Sequence, residues 1–290
     1  MKDDEVSSTA LTVLQGILYT GRKKEYAHLV SDEVKDACIN ILESSEAGKK
    51  RLKLLDSKLF TMSVPLIEKL MIPGLTLHYA LRKKYIEEFV ENAIERGFTQ
   101  VVNLGAGFDT LAYRLSQKYA NVNFIEIDHP ATQRVKRESL MKIQIDNLHL
   151  LSVDFAKQNL KDSLSEFEAF DSKKDTIFIS EGVLMYLSEK DVRDLFHSLK
   201  SLTSEQMEFI FTYLEPKSEN KDSYGILLNL YLRFKNEHLS WDIKQNDLDN
   251  FLKSLNYETL KMANADDFKK TYLPKTSATL HRGENIAIAK

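Results

Sequence analysis

Val101-Val102-Asn103-Leu104-Gly105-Ala106-Gly107-Phe108-Asp109-Thr110 decides the fold. An apolar run ends in two glycines one residue apart, after which Leu111, Ala112, Leu115 and Tyr119 recur at helical spacing. That order reads as strand, tight turn, helix. Glycine accepts a positive φ and lets a ligand approach the backbone, while the free N–H groups of the following helix favour an electron-rich ligand.

Outward from this turn, Val122-Asn123-Phe124-Ile125-Glu126-Ile127-Asp128 is a second strand that closes in acid. In nucleotide-binding α/β folds, an acid about twenty residues after the glycines accepts hydrogen bonds from ribose hydroxyls. Thr110 stands where a dinucleotide fingerprint has its third glycine. A Cβ there leaves less room for a pyrophosphate, so the pattern favours a nucleoside ligand over NAD or FAD. Leu148 to Val153, Asp175 to Ser180 and Glu208 to Leu214 read as three further strands, the first closing at Asp154-Phe155 and the second at Glu181-Gly182. Helical patterns alternate with them, Ser188 capping one that carries Val192, Leu195, Phe196 and Leu199. Such alternation predicts a parallel sheet covered on both faces, with ligands at the carboxyl ends of its strands.

The front third is helical. Leu11, Leu14 and Leu18 mark one helix, Asp32 to Leu42 a second and Leu77 to Arg96 the helix leading into the core; Glu43 to Lys50 reads as polar surface, and Pro65 and Pro73-Gly74 as element boundaries. Tyr224 to Phe234 and Asp247 to Leu255 are predicted helices, with Trp241 in a loop between them, and Tyr257 to Met262 and Asn285 to Ala289 predicted strands after the turn Arg282-Gly283-Glu284. The chain divides into a helical lid and lead-in helix (1–96), a ligand-binding core (97–216), a helical insertion (217–255) and terminal strands (256–290), all within one domain (1–290).

Charge and cysteine content narrow the function. Lys+Arg 40 against Asp+Glu 43 gives a net charge of -3, so no global field recruits nucleic acid or an anionic membrane. The single cysteine, Cys38, excludes an internal disulfide and reads as a buried thiol. The seven histidines show no metal spacing, and no metal is expected. The opening residues lack the pattern of a secretory signal and no apolar run is long enough to span a bilayer, so the expected location is the cytoplasm.

Four ordered motifs carry a resemblance: Leu104-Gly105-Ala106-Gly107-Phe108-Asp109-Thr110, Phe124-Ile125-Glu126-Ile127-Asp128-His129-Pro130, Val153-Asp154-Phe155 and Ser180-Glu181-Gly182-Val183-Leu184-Met185-Tyr186-Leu187. The chain resembles the S-adenosylmethionine-dependent methyltransferases of the leucine carboxyl methyltransferase family, and within it the bacterial branch of small-molecule O-methyltransferases. The resemblance implies an α/β class I methyltransferase (Rossmann-like) fold, a mixed seven-stranded sheet whose last strand is antiparallel, with S-adenosyl-L-methionine as cofactor. By the same resemblance Arg82 clamps the methionine carboxylate, and Gly105, Ala106, Gly107 and Asp109 form the turn under the cofactor. Asp128 accepts from the ribose, with Glu126 a second candidate; Asp154 and the Phe155 backbone hold adenine, and Glu181 and Tyr186 bound the methyl-transfer site as its catalytic candidates. Many bacterial members carry an arginine where this chain has Leu111, a departure that bears on lid geometry and acceptor recognition.

A small acceptor methylated on oxygen is the expected partner, under a roof of Phe60, Met62, Leu66, Met71, Leu228, Tyr231, Phe234 and Trp241. A protein C-terminal carboxylate as acceptor and a non-catalytic, cofactor-binding interaction protein are the alternatives. Monomer and homodimer both remain open.

Overall fold

The structure is a computed structural model that describes residues 8–140, 145–155, 157–219 and 239–290. The expected helix Tyr224 to Phe234, and with it Leu228, Tyr231 and Phe234, lies outside the described residues.

Seven strands form one sheet in the order β3-β2-β1-β4-β5-β7-β6. They are β1 (Gln100–Leu104), β2 (Asn123–Asp128), β3 (Leu148–Ser152), β4 (Thr176–Ser180), β5 (Met207–Leu214), β6 (Thr259–Ala263) and β7 (Glu284–Ala289). The first five run parallel, and β7 inserts antiparallel between β5 and β6. This is the class I methyltransferase sheet. The chain winds outward from β1 to β3 and then returns to lay β4 on the other side of β1, opening a crevice at the carboxyl ends of β1 and β4.

Alternation along each strand feeds two cores. Val101, Phe124, Ile177, Ile179, Ile286 and Ile288 pack beneath the front helices, whereas Val102, Ile125, Phe178, Phe209, Phe211 and Ala287 face the opposite layer. The front layer comprises α1 (Ser8–Arg22), α2 (Asp32–Glu43), α3 (Glu46–Asp56), α4 (Lys58–Leu70) and α5 (Leu75–Glu95). α4 and α5 meet at 87° across the Pro73-Gly74 turn. α6 (Leu111–Lys118), α7 (Pro130–Leu140) and α8 (Leu160–Ser165) connect the first strands, and α9 (Glu189–Leu202) starts at Ser188, whose hydroxyl accepts from the Asp191 N–H. α10 (Gln245–Ser254) and α11 (Ala265–Tyr272) complete the described helices.

The polar stretch 43–50 is surface apart from Gly48, as expected, and its second half begins α3, capped by Ser45; Gly48 lets the helix lie against the Leu42 backbone, where an added Cβ would fall 2.1 Å from the Leu42 carbonyl oxygen. Two local expectations are corrected. Pro65 lies inside α4 instead of bounding it. Proline has no N–H for the carbonyl four residues back, which is that of Thr61. The Tyr19 hydroxyl donates to that same carbonyl at 3.2 Å, so a side chain from α1 replaces the missing helical bond. The second concerns Trp241, which is 5% exposed and packs on Phe251 in the core beneath the sheet. It is not a roof residue: the Ser240 N–H donates to the Met185 carbonyl at 2.8 Å, and this backbone bond holds the loop against the protein.

Among the described residues, no single helix is long and apolar enough to cross a membrane. Cys38 is fully buried, and burial pushes its thiol up to about 12, as expected for an inert packed side chain.

Candidate active site at the carboxyl ends of β1, β2 and β4

The glycine turn takes its shape from backbone and carboxylate bonds. Gly105 and Gly107 adopt φ +65 and +52, a region that side chains with a Cβ disfavour. A Cβ on Gly105 would meet Val183 Cγ2 at 2.4 Å, so β1 and the loop after β4 approach as closely as they do only because it is glycine. The Gly107 N–H donates to Asp128 Oδ2 at 2.7 Å, and the His129 N–H donates to Asp128 Oδ1 at 2.7 Å. Each oxygen of Asp128 keeps lone pairs for further donors, as a ribose diol requires. Burial raises its pKa, and those two N–H groups oppose the rise. His129 is structural, its Nδ1 accepting from the Ala131 N–H at 3.3 Å.

Asp109 caps α6, with Oδ1 accepting from the Leu111 N–H at 3.0 Å. Its other oxygen meets Lys83 Nζ at 2.8 Å. The same ammonium lies 2.8 Å from Glu181 Oε2, while Arg82 Nε donates to Glu181 Oε1 at 2.7 Å. Arg82 also pairs through Nη1 with Glu284 Oε2, and its guanidinium lies 5.3 Å from the centre of the Tyr79 ring. Burial works against the charges of Arg82 and Lys83, but the carboxylates beside them outweigh it and raise both pKa values. For Asp109, burial is likewise outweighed, by Lys83 and then Lys136, and the carboxyl stays well below the usual range.

A cavity of about 1170 Å³ sits over this floor. Arg82, Gly105, Ala106, Gly107, Asp109, Asp128, Glu181 and Tyr186 all line it. Ala10, Val13, Leu14 and Ile17 of α1, with Leu29, Val30 and Tyr79, supply apolar walls. Arg51 of α3 fixes that roof by donating to the Ser8 carbonyl and to Gln15 Oε1, both at 3.0 Å.

The remaining expected residues do not join the lining. Glu126 is fully buried, with Lys136 Nζ 2.5 Å from Oε2, so it is withdrawn from any ribose. Burial raises its carboxyl to about 7 against the opposing charge of Lys136. Asp154 pairs with Lys157 at 3.0 Å, and Phe155 is 44% exposed. Phe60, Met62, Leu66 and Met71 do not roof the cavity, and Met62 and Leu66 point to solvent. The roof is the apolar face of α1 because that helix, not α4, crosses the glycine turn; Ala10 Cβ lies 3.4 Å from where a Cβ on Gly107 would be.

Sequence reasoning missed Lys83 and Glu284. Glu284 opens the strand run Asn285 to Ala289 just as Glu181 closes its own, and an acid at the end of a strand was a legible signal at both places. Lys83 carried no such signal, since a lysine beside Arg82 on a helix equally describes a solvated face.

The model of the leucine carboxyl methyltransferase family matches residues 22–200. The chain belongs to the leucine carboxyl methyltransferase family. Among similar proteins, the "putative S-adenosyl-L-methionine-dependent methyltransferase YktD" of Bacillus subtilis (strain 168) is 31% identical over 137 residues, 46% of this chain and 44% of that protein. One of the same description from Mycobacterium avium (strain 104) is 33% identical over 131 residues, 43% of this chain and 40% of the relative. These matches span less than half the length of each relative. A crystal structure described as a "putative methyltransferase" from Thermobifida fusca has the same fold, with TM-score 0.59, 15% identity and coverage of 87% of this chain and 93% of that one. None of the three names specifies an acceptor. Membership in the family agrees with the expectation drawn from the four motifs, and its S-adenosylmethionine is a ligand that the turn at Gly105, the carboxylate of Asp128 and the cationic pair Arg82 and Lys83 suit in chemistry.

Proposed function

We propose that the chain is an S-adenosylmethionine-dependent O-methyltransferase for a small organic acceptor. The observation that carries this reading is the division of one cavity into a charged floor and an apolar wall. At about 1170 Å³ it exceeds the roughly 300–1,000 Å³ of ordinary small-molecule sites, leaving room for a cofactor and an acceptor together. Asp128 would receive the ribose hydroxyls, and the free N–H groups of Arg82 the methionine carboxylate. When bound, the cofactor supplies an electrophilic methyl group on sulfur.

Asp128 and Arg82 would hold the cofactor beside the apolar wall, where it would supply its methyl to an acceptor oxygen. The protein's part is alignment and exclusion of water. Both oxygens of Glu181 lie on cations, so it is a positioning group for Arg82 and Lys83 before it is a proton acceptor. No described histidine lines the cavity. These features favour an acceptor oxygen that is already ionised, a carboxylate or an acidic phenol, held against Met185, Tyr186 and the α1 wall. Tyr186, 39% exposed at the lining, would hydrogen-bond it.

The test is methyl transfer from labelled cofactor to a panel of small carboxylic acids, phenols, alcohols and a peptide with a free C-terminal carboxylate. Turnover of a compact acid or phenol, with Tyr186→Phe lowering kcat/KM and leaving cofactor affinity unchanged, is expected. Transfer only to the peptide would replace the small-acceptor reading by the protein-carboxyl one.

A further inference from the structure

The methyl transfer proposed above changes the charge of the cofactor. S-adenosylmethionine carries a sulfonium, an ammonium and a carboxylate, whereas its thioether product, S-adenosylhomocysteine, keeps only the last two. The two ligands have nearly the same shape and differ by one full positive charge. A site with a surplus of negative charge therefore separates them.

The cavity floor has that surplus. Arg82 and Lys83 face Asp109, Asp128, Glu181 and Glu284, all six in the lining. Glu126 and Lys136 pair beneath the floor, and because burial raises the Glu126 carboxyl to about 7 the pair adds at most one positive charge, which leaves the surplus of the floor negative. Arg82 is shared between Glu181 and Glu284, and Lys83 between Asp109 and Glu181. Without Glu284, Arg82 would still have Glu181 and Lys83 would still have Asp109. The ion-pair cluster thus holds one carboxylate more than its cations, and Glu284 can be removed with both cations still paired.

The fold holds Glu284 there by a closed circuit. It opens β7 opposite Leu214 of β5. Thr212, also on β5, hydrogen-bonds the Glu284 side chain, and Thr212 Oγ1 accepts from the Gly182 N–H at 2.8 Å. Gly182 follows Glu181, which returns to Arg82 and through it to Glu284. His78 Nε2 lies 3.9 Å from Glu284 Oε2 but brings no compensating charge, because burial, His281 and Arg82 all hold it neutral. Glu284 and Thr212 both fall outside residues 22–200, the stretch matched by the family model.

We propose that Glu284 is a specificity-determining residue of the cofactor site, giving it a preference for the sulfonium cofactor over the uncharged thioether product and so favouring product exchange after transfer. The proposal rests on the methyl-transfer reading. A charge buried beside the ligand at low effective dielectric changes relative affinity by about tenfold or more.

Calorimetric titration of the full chain with each ligand separately tests it. The wild type is expected to bind S-adenosylmethionine more tightly than S-adenosylhomocysteine. Glu284→Gln is expected to shift the ratio of the two dissociation constants by about tenfold toward the product, and Glu284→Asp to retain the wild-type ratio. A wild-type site that prefers the product overturns the proposal, and this arm needs no variant to fold. An unchanged ratio in Glu284→Gln overturns it too. Binding of neither ligand refutes the cofactor reading itself, and the preference with it.

Discussion

Replacing Arg82 by methionine keeps an unbranched side chain and removes the guanidinium that holds two carboxylates together. Glu181 retains Lys83, but Glu284 loses its cation in a site where it is 5% exposed. A buried ion left without its partner costs about 3–5 kcal/mol. The carboxyl can limit that cost by taking a proton, which at pH 7.5 and from its ordinary value of 4.5 amounts to about 4 kcal/mol. The two limits agree, so Arg82→Met should lose about 3–4 kcal/mol of stability near neutral pH. The pH dependence has a definite sign. Burial already raises Glu284 in the wild type, with Arg82 opposing, and the substitution raises it further. The folded variant then binds more protons than the unfolded chain in the window above the ordinary carboxyl range, so its stability falls as pH rises. Urea unfolding at pH 6 and pH 8 should therefore give a deficit larger at pH 8 by about 1.4 kcal/mol for each unit over which Glu284 stays protonated only in the fold. A deficit below about 1 kcal/mol, or one equal at both pH values, would refute this account of the floor.

Three further outcomes follow from individual contacts. Gly105→Ala should cost about 1–3 kcal/mol and abolish cofactor binding; combining it with Val183→Ala removes the 2.4 Å collision and should restore part of the stability, and no restoration in chemical denaturation would show that the contact is not the cause. Lys136→Met should cost about 3–5 kcal/mol, whereas Lys136→Met with Glu126→Gln should unfold within about 1 kcal/mol of the wild type, because no buried charge is left alone; a double variant as unstable as the single one contradicts the pairing. Tyr19→Phe should cost about 1 kcal/mol by leaving the Thr61 carbonyl without its donor, while the conservative Thr61→Ser, which keeps that carbonyl, should cost less.

The sheet was legible because its strands are short apolar runs closed by chemistry-bearing residues, and the observed bounds of β1 to β5 differ from the expected ones only at their ends. The lining of the cavity was legible where a residue's place depends on the backbone or on a strand end: Gly105, Gly107, Asp128 and Glu181 converge because strand ends converge in this fold. Glu126 misled for the same reason. It precedes Asp128 by two positions and also carries a carboxylate, but the lysine that claims it, Lys136, comes from the next helix, and a sequence does not say which acid a helix will neutralise. The roof was misread because exposure of α4 and burial of α1 depend on how helices cross, not on their own apolar content: Met62 is 79% exposed although α4 is rich in apolar residues. Pro65 was read by a local rule, and a tyrosine from another helix overrode it.

Calorimetric titration of the purified chain with S-adenosylmethionine, set beside the same titration with NADH, tests the central claim most directly. The account predicts one S-adenosylmethionine site per chain, markedly weakened by Arg82→Ala, and no comparable response to NADH, because Thr110 leaves less room for a pyrophosphate over the glycine turn. Tight binding of NADH with no response to S-adenosylmethionine would contradict it.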